Sequence, residues 1–586
     1  MRKEYLIISN YAKRFLSFVV VFIYLSSSAL GQSAAITIDG EFQDWNSNLT
    51  QVNESPETTN GVDLISLSVT NNRDYLFLKI EADSEFDFSD DIINHDIKIY
   101  LDTDGDTTNG DSRYKGIGAE LVINLNNRRL TFYNLNAVNV NLNDIGIRVA
   151  PTVTSKTFEF AIHRDILPDN QNQLFTNSAI RILTVNESNN DRLPNNRALK
   201  YIFDESQTEG YDIIDLDKND TNLIRIVAYN TLFNGLTVDD RIPHYDRIMK
   251  ALNPDIIGFS ECWDVPANAV KTLMDDWLPV NNPGGWFVEK LDSRGLITAS
   301  RWKISKRWDN LPNQFPVLID LPDEYTTNVL FTNAHLNCCS NESGRQNQAD
   351  AYTAFILDAK TSGGNIDLPE NTPFVYGGDL NLVGFSQQLT TLLTGDIQNT
   401  STYGQGGMPD WDNTEVTDLF NLHTEQPFSF TWKDEGSSFP PGKLDFMLYS
   451  DAVLDVDKSF VLRTEEMDIL RLTEYNLRND DTESASDHFP VVADFVFERE
   501  TTNKKKINLG TLELSSNPVK DEFRLTLPYA GSHTITITDY SGKQYLQEFT
   551  TEKVSIINTS QFPSGLYFVT VSSNNGEMST LRFTKY

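Results

Sequence analysis

Polar residues close a series of apolar runs within one window of the 586-residue chain. Each run has the composition of a buried β-strand, and each polar cluster follows where that strand should end. Because open α/β folds build their sites at strand ends, we expect these side chains to meet at one edge. The clusters lie in RIVAYN (Asn230), PDIIGFSE (Glu261), LFTNAHLN (His335), FVYGGDLN (Asp379 and Asn381), KLDFMLYS (Asp445) and SASDHFPVVADF (Asp487 and His488).

The sequence between these clusters predicts alternating strands and helices. Residues 224–228 form a β-rich run that leads to Asn230, and a helical pattern of apolar residues follows over 242–252. Asp239 or Asp240 can cap that helix. The units that deliver the next clusters repeat the alternation, which predicts α/β layers.

The residue types in these clusters indicate one kind of chemistry. Carboxylate, amide and imidazole groups hold hard divalent metal ions and activate water. Taken singly, Asp379 in its turn is explained as a turn residue and His335 as a satisfied strand-end histidine. Asp445 within an apolar run is harder to explain in this way, because an unpaired buried carboxylate is costly. The ordered set therefore favours a metal-assisted hydrolytic site.

From about residue 222 to residue 497 the chain resembles the endonuclease/exonuclease/phosphatase superfamily. The asparagine closing the first strand, the glutamate after PDI, the strand-end histidine, G-D-L-N, L-D-F and S-D-H-F-P all occur in the family's order. The resemblance implies a central α/β four-layer sandwich, in which two packed β-sheets are flanked by helices. It also implies a metal-dependent phosphoric ester hydrolase, most simply a phosphodiesterase.

The resemblance implies a metal site. It assigns a magnesium or manganese ion to Glu261, assisted by Asn230 and Asp487. Such an ion neutralises an anionic phosphodiester and stabilises the leaving oxygen.

The resemblance also implies how protons are handled. Asp379 is assigned as the base for the attacking water, and Asn381 holds the water or a phosphate oxygen. His488 faces the phosphate and is oriented by Asp445. His335 stabilises charge or protonates the leaving group. The division of the base role between the aspartate and the histidines stays open.

The net charge of the chain limits which substrates it is expected to bind. The formal net charge is −35 and the pI is near 4.5, which disfavours tight, nonspecific binding to nucleic acid. Trp263 stands where some nucleases carry a basic residue, and no basic and aromatic patch is evident. We still expect a nuclease that hydrolyses extracellular nucleic acid. A sphingomyelinase-like phospholipid or other phosphoester hydrolase, with lipid contacts near Trp302 and Trp308, is one alternative, and an inactive surface binding protein is another.

The two ends of the chain predict export. Basic residues precede an apolar run and small residues, which is typical of a signal peptide over residues 1–31, and no transmembrane segment is expected in the mature chain. After a linker at 498–511, residues 512–586 resemble the C-terminal sorting domain of the type IX secretion system, through Asn517-Pro518, Asp539–Gly542 and the terminal Lys585. The type IX machinery is then a partner, and the protein is secreted or held at the cell surface.

Residues 35–205 are predicted to form an all-β sandwich. Their opening and the LDTDGD segment resemble family 9 carbohydrate-binding modules, which implies a surface polysaccharide as partner. Asp102, Asp104 and Asp106 alternate in a polar turn and form a candidate calcium site. An Asp/Gly-rich hairpin without an ion explains the same pattern.

The chain has three cysteines, all in the central window. Cys262 follows Glu261 directly, and Cys338 and Cys339 follow His335 closely. In an oxidising exterior, a disulfide from Cys262 to one of that pair is one interpretation. Three buried thiols are the other.

Overall fold

A computed structural model of the protein describes residues 36–45, 49–57, 60–88, 93–133, 137–206, 212–366, 368–499, 511–539, 543–573 and 578–586. The predicted signal peptide lies outside these residues, as do most of the predicted linker and the end of the Asp539–Gly542 turn. The described chain forms two compact units: the first extends to Leu321 and resumes over Thr327–Phe497, and the second combines Pro322–Thr326 with the C-terminal region from Glu498.

The first unit begins with a β-sandwich. Its five-stranded sheet has the order β1-β2-β3-β9-β8, and its second sheet has the order β11-β10-β4-β5-β6-β7 with β12 beside β10. Alternating apolar residues of both sheets fill one core. The strands are β1 Thr50–Asn53, β2 Leu64–Asn71, β3 Tyr75–Phe86, β4 Ile97–Asp102, β5 Leu121–Asn124, β6 Arg129–Tyr133, β7 Ala137–Asn141, β8 Arg148–Ala150, β9 Ser155–His163, β10 Ala179–Asn186, β11 Asp191–Leu193 and β12 Leu199–Ile202.

The central domain follows with two six-stranded sheets. One has the order β15-β16-β14-β13-β24-β23 and the other the order β17-β18-β19-β20-β22-β21. The strands are β13 Ile224–Asn230, β14 Ile256–Ser260, β15 Phe287–Leu291, β16 Leu296–Ser300, β17 Ile304–Arg307, β18 Gln314–Ile319, β19 Val329–His335, β20 Phe374–Asp379, β21 Thr417–Asp418, β22 Asp445–Tyr449, β23 Asp455–Val461 and β24 Val491–Val496.

Helices cover the outer faces of these sheets. Helices α1 and α2 pack on the first sheet and α3 on the second. In α1 the residues at helical spacing, Tyr245, Ile248, Met249 and Leu252, are all buried, as the periodicity predicts. The helices are α1 Ile242–Leu252, α2 Ala267–Trp277, α3 Glu342–Lys360, α4 Gln387–Thr394, α5 Thr400–Tyr403, α6 Ile469–Glu474 and α7 Asp481–Ala485.

The start of α1 differs from the prediction. Its N-cap is Arg241, without a side-chain capping bond, so neither Asp239 nor Asp240 caps the helix. Pro243 lies in the first turn and lacks an N–H, which leaves fewer donors to satisfy there. The Arg241 guanidinium instead donates hydrogen bonds to the backbone carbonyls of Thr231 and Leu232, and so ties the helix to the loop after β13.

The second unit is a small β-sandwich of a three-stranded sheet, β25-β26-β29, and a four-stranded sheet, β28-β27-β30-β31. The predicted multidomain fold class is confirmed: an all-β sandwich, a central α/β sandwich of two sheets and a C-terminal β-sandwich. Among the described residues no helix is both long and apolar enough to cross a membrane. The strands are β25 Glu513–Leu514, β26 Glu522–Thr526, β27 His533–Asp539, β28 Gln544–Thr550, β29 Val554–Asn558, β30 Gly565–Ser573 and β31 Met578–Lys585.

Candidate active site

Strand pairing gathers the predicted site residues at one edge of the two sheets. Strands β13 and β14 run parallel, as do β19 and β20, so each pair ends on the same side. In register, His335 lies opposite Asp379, and Asp379 lies opposite Asp445, the first residue of antiparallel β22. The structure therefore brings together the polar clusters that the sequence places at strand ends.

Gly378 makes this approach of strands possible. Its φ is +147°, and a Cβ on it would lie 2.0 Å from the carbonyl oxygen of Ala334 on β19. No larger residue fits between the two strands without moving the backbone. The glycine thus holds the Asp379 backbone tightly against the His335 strand.

Asp379 lies between two imidazoles. Its Oδ2 is 3.5 Å from Nε2 of His335 and 3.6 Å from Nε2 of His488. Its Oδ1 accepts a hydrogen bond from the backbone N–H of Asn381 at 3.0 Å. Burial raises the pKa of the Asp379 carboxyl, and the charge of His488 acts against that rise.

His488 is held by a second carboxylate. Its Nδ1 donates to Oδ2 of Asp445 at 2.7 Å, and the hydroxyl of Thr431 donates to the same oxygen at 2.7 Å. Burial acts to lower the pKa of His488, but the carboxylates of Asp445 and Asp379 outweigh it and raise the pKa to about 10. His488 is therefore an imidazolium at neutral pH.

Glu261 and Asn230 form the other side of the site. The amide nitrogen of Asn230 donates to Oε1 of Glu261 at 3.1 Å and to Oδ2 of Asp379 at 2.9 Å. The amide oxygen of Asn230 accepts from the N–H of Leu232. Asn230 thus faces the carboxylates as a donor, whereas a metal ligand would present its oxygen. The second oxygen of Glu261 accepts from the N–H of Phe233 at 2.8 Å.

Asp487 has one oxygen in use and one free of hydrogen bonds. Its Oδ2 accepts from the indole N–H of Trp432 at 3.1 Å. Its Oδ1 is buried and has no hydrogen-bond partner among the described residues. Burial raises the pKa of the Asp487 carboxyl, and the neighbouring charge of Glu261 adds to the rise. An orphaned carboxylate oxygen beside a second carboxylate fits a divalent cation, so Glu261 and Asp487 suit the metal ligation predicted for them.

Asn381 lies at the floor of the site, at 8% exposure. Its amide nitrogen donates to the carbonyl of Leu336, which follows His335. The side chain thereby joins the loops after β19 and β20.

An aromatic pair borders the Glu261 side of the site. Phe233 is 68% exposed and Trp263 is 39% exposed, and their ring centres lie 5.9 Å apart. The Trp263 ring centre lies 6.2 Å from that of His335. Leu232, Phe233 and Asn234 have consecutive positive φ values of 43°, 47° and 62°. Bulky residues rarely adopt this conformation, and it keeps Phe233 at the surface beside Glu261.

The acidic turn of the first sandwich differs from the prediction. Asp102 and Asp104 do lie close together, but the third carboxylate of the group is that of Glu120, which directly precedes β5, and not that of Asp106. The Asp106 carboxylate accepts hydrogen bonds from the N–H and hydroxyl of Thr108 instead. Asp102 also pairs with Arg181 at 2.8 Å, which uses one of its oxygens.

The cysteines form no disulfide in the described chain. Cys262 is buried, and its sulfur contacts the hydroxyl of Thr231 at 3.4 Å and the carbonyl of Ser260. Cys338 and Cys339 are exposed, so the alternative of three buried thiols is wrong as well. The side chain of Cys262 points into the core behind β14, whereas the pair lies on a surface loop.

The sequence reading missed two residues that hold the site. Thr431 fixes Asp445 and Trp432 fixes Asp487. The signal was present, since Thr431-Trp432 closes the apolar run Pro427–Phe430 as the other clusters close theirs. The Trp308 ring packs edge-on against Phe355, with the ring centres 5.5 Å apart.

Comparison with known families agrees with this geometry. Residues 227–488 match the endonuclease/exonuclease/phosphatase family. The central domain belongs to that family. The chain is accordingly a metal-dependent phosphoric ester hydrolase. Residues 516–583 match a secretion system C-terminal sorting domain, which directs the protein through type IX secretion to the cell surface or the extracellular space.

Solved structures with a similar chain course were also found. A humanised D. rerio TDP2 is 13% identical, with a TM-score of 0.31, 47% of this chain and 100% of that chain covered. An endonuclease/exonuclease/phosphatase protein from Beutenbergia cavernae is 13% identical, with a TM-score of 0.29 and coverage of 62% and 100%. The human Nocturnin catalytic domain is 16% identical, with a TM-score of 0.28 and coverage of 49% and 97%. No curated protein matches the chain.

Proposed function

We propose that the protein is a secreted phosphodiesterase that hydrolyses extracellular nucleic acid with a bound magnesium or manganese ion. The observation that carries this proposal is the position of Asp379 between His335 and His488, within 3.6 Å of both, beside the Glu261 carboxylate. A buried acceptor between two imidazoles suits the deprotonation of water beside an anionic phosphate.

Each catalytic side chain has a separate role in proton transfer or charge stabilisation. Asp379 takes the proton of the attacking water, and its raised pKa makes it a better acceptor than an exposed aspartate. The His488 imidazolium, oriented by Asp445, faces the phosphate and stabilises its growing charge. His335 donates a proton to the departing oxygen. The balanced result is a phosphomonoester and an alcohol from a diester and water.

The metal ion belongs at Glu261 and Asp487, with Asn230 orienting the Glu261 carboxylate. When bound, the ion supplies neutralisation of the phosphate and of the leaving oxygen. The buried Oδ1 of Asp487 has no hydrogen-bond partner among the described residues, which supports this assignment.

The exposed rings of Phe233 and Trp263 support nucleic acid as the substrate class. Aromatic faces stack on unpaired bases, and this contributes about 1–3 kcal/mol per base without requiring positive charge. That mode of recognition suits a protein with a net charge of −35. The same two rings would also enter a lipid surface, which keeps a sphingomyelinase-like activity as the second candidate.

The test compares substrates in parallel on the mature full-length protein. Single-stranded DNA, RNA, duplex DNA, bis-p-nitrophenyl phosphate and sphingomyelin vesicles are assayed with and without magnesium. We expect metal-dependent cleavage of the nucleic acids, with a loss of at least about 100-fold in Glu261→Gln. Glu289→Gln is the matched control, because it neutralises a carboxylate on the outer strand β15 that pairs with Arg307.

The outcomes separate the candidates. Cleavage of sphingomyelin alone would replace nuclease with lipid hydrolase, and the Phe233→Ala/Trp263→Ala variant would then lose vesicle binding. Full activity in Glu261→Gln would refute the metal assignment. No turnover of any substrate by the folded, metal-loaded protein would favour the surface binding protein that the sequence leaves as an alternative.

A further inference from the structure

One turn of the N-terminal sandwich enters the central domain beside the catalytic strands. Residues 151–154 join β8 to β9, and Val153 is buried in the same hydrophobic cluster as Leu380, Leu382 and Phe446 of the central domain. This cluster lies directly behind the segments that carry Asp379 and Asp445. The turn is therefore part of the packing that sets the position of those segments.

Thr152 contacts both catalytic segments through one hydroxyl. Its Oγ1 lies 2.9 Å from the carbonyl oxygen of Leu382 and 3.1 Å from that of Lys443, so its single proton is given to one or shared by both. Leu382 follows Asn381 directly, and Lys443 precedes Asp445 by two residues. The side-chain methyl fills the other face, since a Cβ on Gly442 would lie 2.7 Å from it.

The next residues extend the same attachment. The N–H of Thr154 donates to the carbonyl of Gly384 at 3.0 Å, and its hydroxyl accepts from the N–H of Ser386 at 3.1 Å. Glu85 of β3 accepts from the hydroxyls of both Thr154 and Ser386. The loop after Asn381 is thus held from the sandwich side by backbone and side-chain bonds.

We propose that the N-terminal sandwich is a structural part of the active site, and that Thr152 is a positioning residue for the segments that carry Asp379, Asn381 and Asp445. Within the central domain, β20 and β22 pair as far as Asp379 and Asp445, and the N–H of Leu380 donates to the carbonyl of Leu444 at 2.8 Å just beyond that ladder. Thr152 joins them again just outside the sheet edge. Without that link the residues beyond the ladder, after Asn381 and before Asp445, are held less closely, and the Asp445–His488 contact loosens.

The experiment compares Thr152→Val, which keeps shape and removes the hydroxyl, with Thr152→Ser, which keeps the hydroxyl. Thr131→Val is the matched control, because the Thr131 hydroxyl donates to Asn139 within the sandwich, away from the catalytic segments. We expect Thr152→Val to lower kcat about tenfold with little change in KM, since small misplacement of catalytic groups is costly. Thr152→Ser should behave like the wild type.

Hydrogen–deuterium exchange gives a readout that needs no substrate. Amides of residues 380–384 and 443–446 should exchange faster in Thr152→Val than in Thr152→Ser or Thr131→Val, at an unchanged melting temperature. Unchanged exchange together with an unchanged kcat in Thr152→Val would overturn the inference. The activity part rests on the proposed function: an inactive wild type would refute that function, and exchange would still decide the role of Thr152.

Discussion

Replacing Asp445 by asparagine removes a negative charge from His488 while preserving the side-chain shape. In the protein, Oδ2 of Asp445 accepts from Nδ1 of His488 and from the Thr431 hydroxyl, both at 2.7 Å. The amide oxygen of asparagine can accept both bonds, and its NH₂ takes the place of Oδ1, which has no partner among the described residues. The substitution therefore tests charge rather than packing.

The magnitude follows from the pKa of His488, which Asp445 and Asp379 raise to about 10 against the effect of burial. Asp445 makes the larger of the two carboxylate contributions, so we expect its neutralisation to lower the pKa by about two pH units or more. At ~1.4 kcal/mol per pH unit, that removes ~3 kcal/mol of preference for the imidazolium. With a pKa lowered by about two pH units from about 10, roughly a tenth of His488 is neutral at pH 7 and roughly nine tenths at pH 9, so kcat at pH 9 should fall about tenfold relative to the wild type.

A histidine whose folded pKa lies above 6.5 stabilises the fold fully below pH ~6.5, and this contribution is lost as pH rises through about 10. The difference in melting temperature between wild type and Asp445→Asn should therefore be largest near pH 6 and shrink toward pH 10. The wild type should keep its kcat up to about pH 9, whereas the variant loses it at lower pH.

The assay is NMR titration of histidine Cε1–H signals, which are few because the chain has 7 histidines. The His488 signal is assigned by its absence in His488→Asn. Kinetics with bis-p-nitrophenyl phosphate at saturating magnesium run in parallel. A His488 pKa that stays near 10 in Asp445→Asn, or an unchanged kcat–pH profile, would refute the reasoning.

Three further predictions concern other parts of the domain. Gly378→Ala should lower the free energy of unfolding, measured with denaturant, by about 3 kcal/mol or more, because the new Cβ would clash with the Ala334 carbonyl. A decrease in the free energy of unfolding of less than about 1 kcal/mol would contradict this close contact. When the native protein is alkylated and analysed by mass spectrometry, Cys338 and Cys339 should react and Cys262 should not, because burial raises the pKa of the Cys262 thiol to about 12. All three cysteines should react when the protein is denatured without reductant. Protection of any cysteine under those denaturing conditions would indicate a disulfide. Between ~50 and ~200 mM salt, KM for single-stranded DNA should change by only about threefold, as expected for about one phosphate contact; a 100-fold change would indicate a basic binding surface.

The central fold and the convergence of its polar residues could be predicted from sequence because both follow from strand periodicity and order. Asn230, His335 and Asp379 each end a strand that is recognisable in the sequence as an apolar run. Neighbouring parallel strands end at the same edge of a sheet. The order of the motifs then added what single positions could not. Taken alone, the local sequence around Asp379 predicts only a turn residue.

What the sequence could not supply depends on contacts across long separations. Glu120 replaces Asp106 in the acidic group because a hairpin brings β5 back toward the end of β4, and alternation along one turn does not reveal that partner. The direction of the Asn230 amide depends on the N–H of Leu232, which a left-handed backbone aims at it. Thr152 is 230 residues from its partner Leu382, beyond any local pattern.

The charge of the site is compatible with the proposal that a chain with a net charge of −35 acts on a polyanion. Glu261, Asp379, Asp445 and Asp487 contribute four negative charges at this edge if all are ionised. The His488 imidazolium and a divalent cation contribute three positive charges, so the loaded site is close to neutral and does not repel a phosphate strongly. For the nucleic-acid substrate that we propose, attraction would be local to the reacting phosphate and the neighbouring base, while the acidic remainder of the surface would limit retention of cleaved strands and so favour turnover.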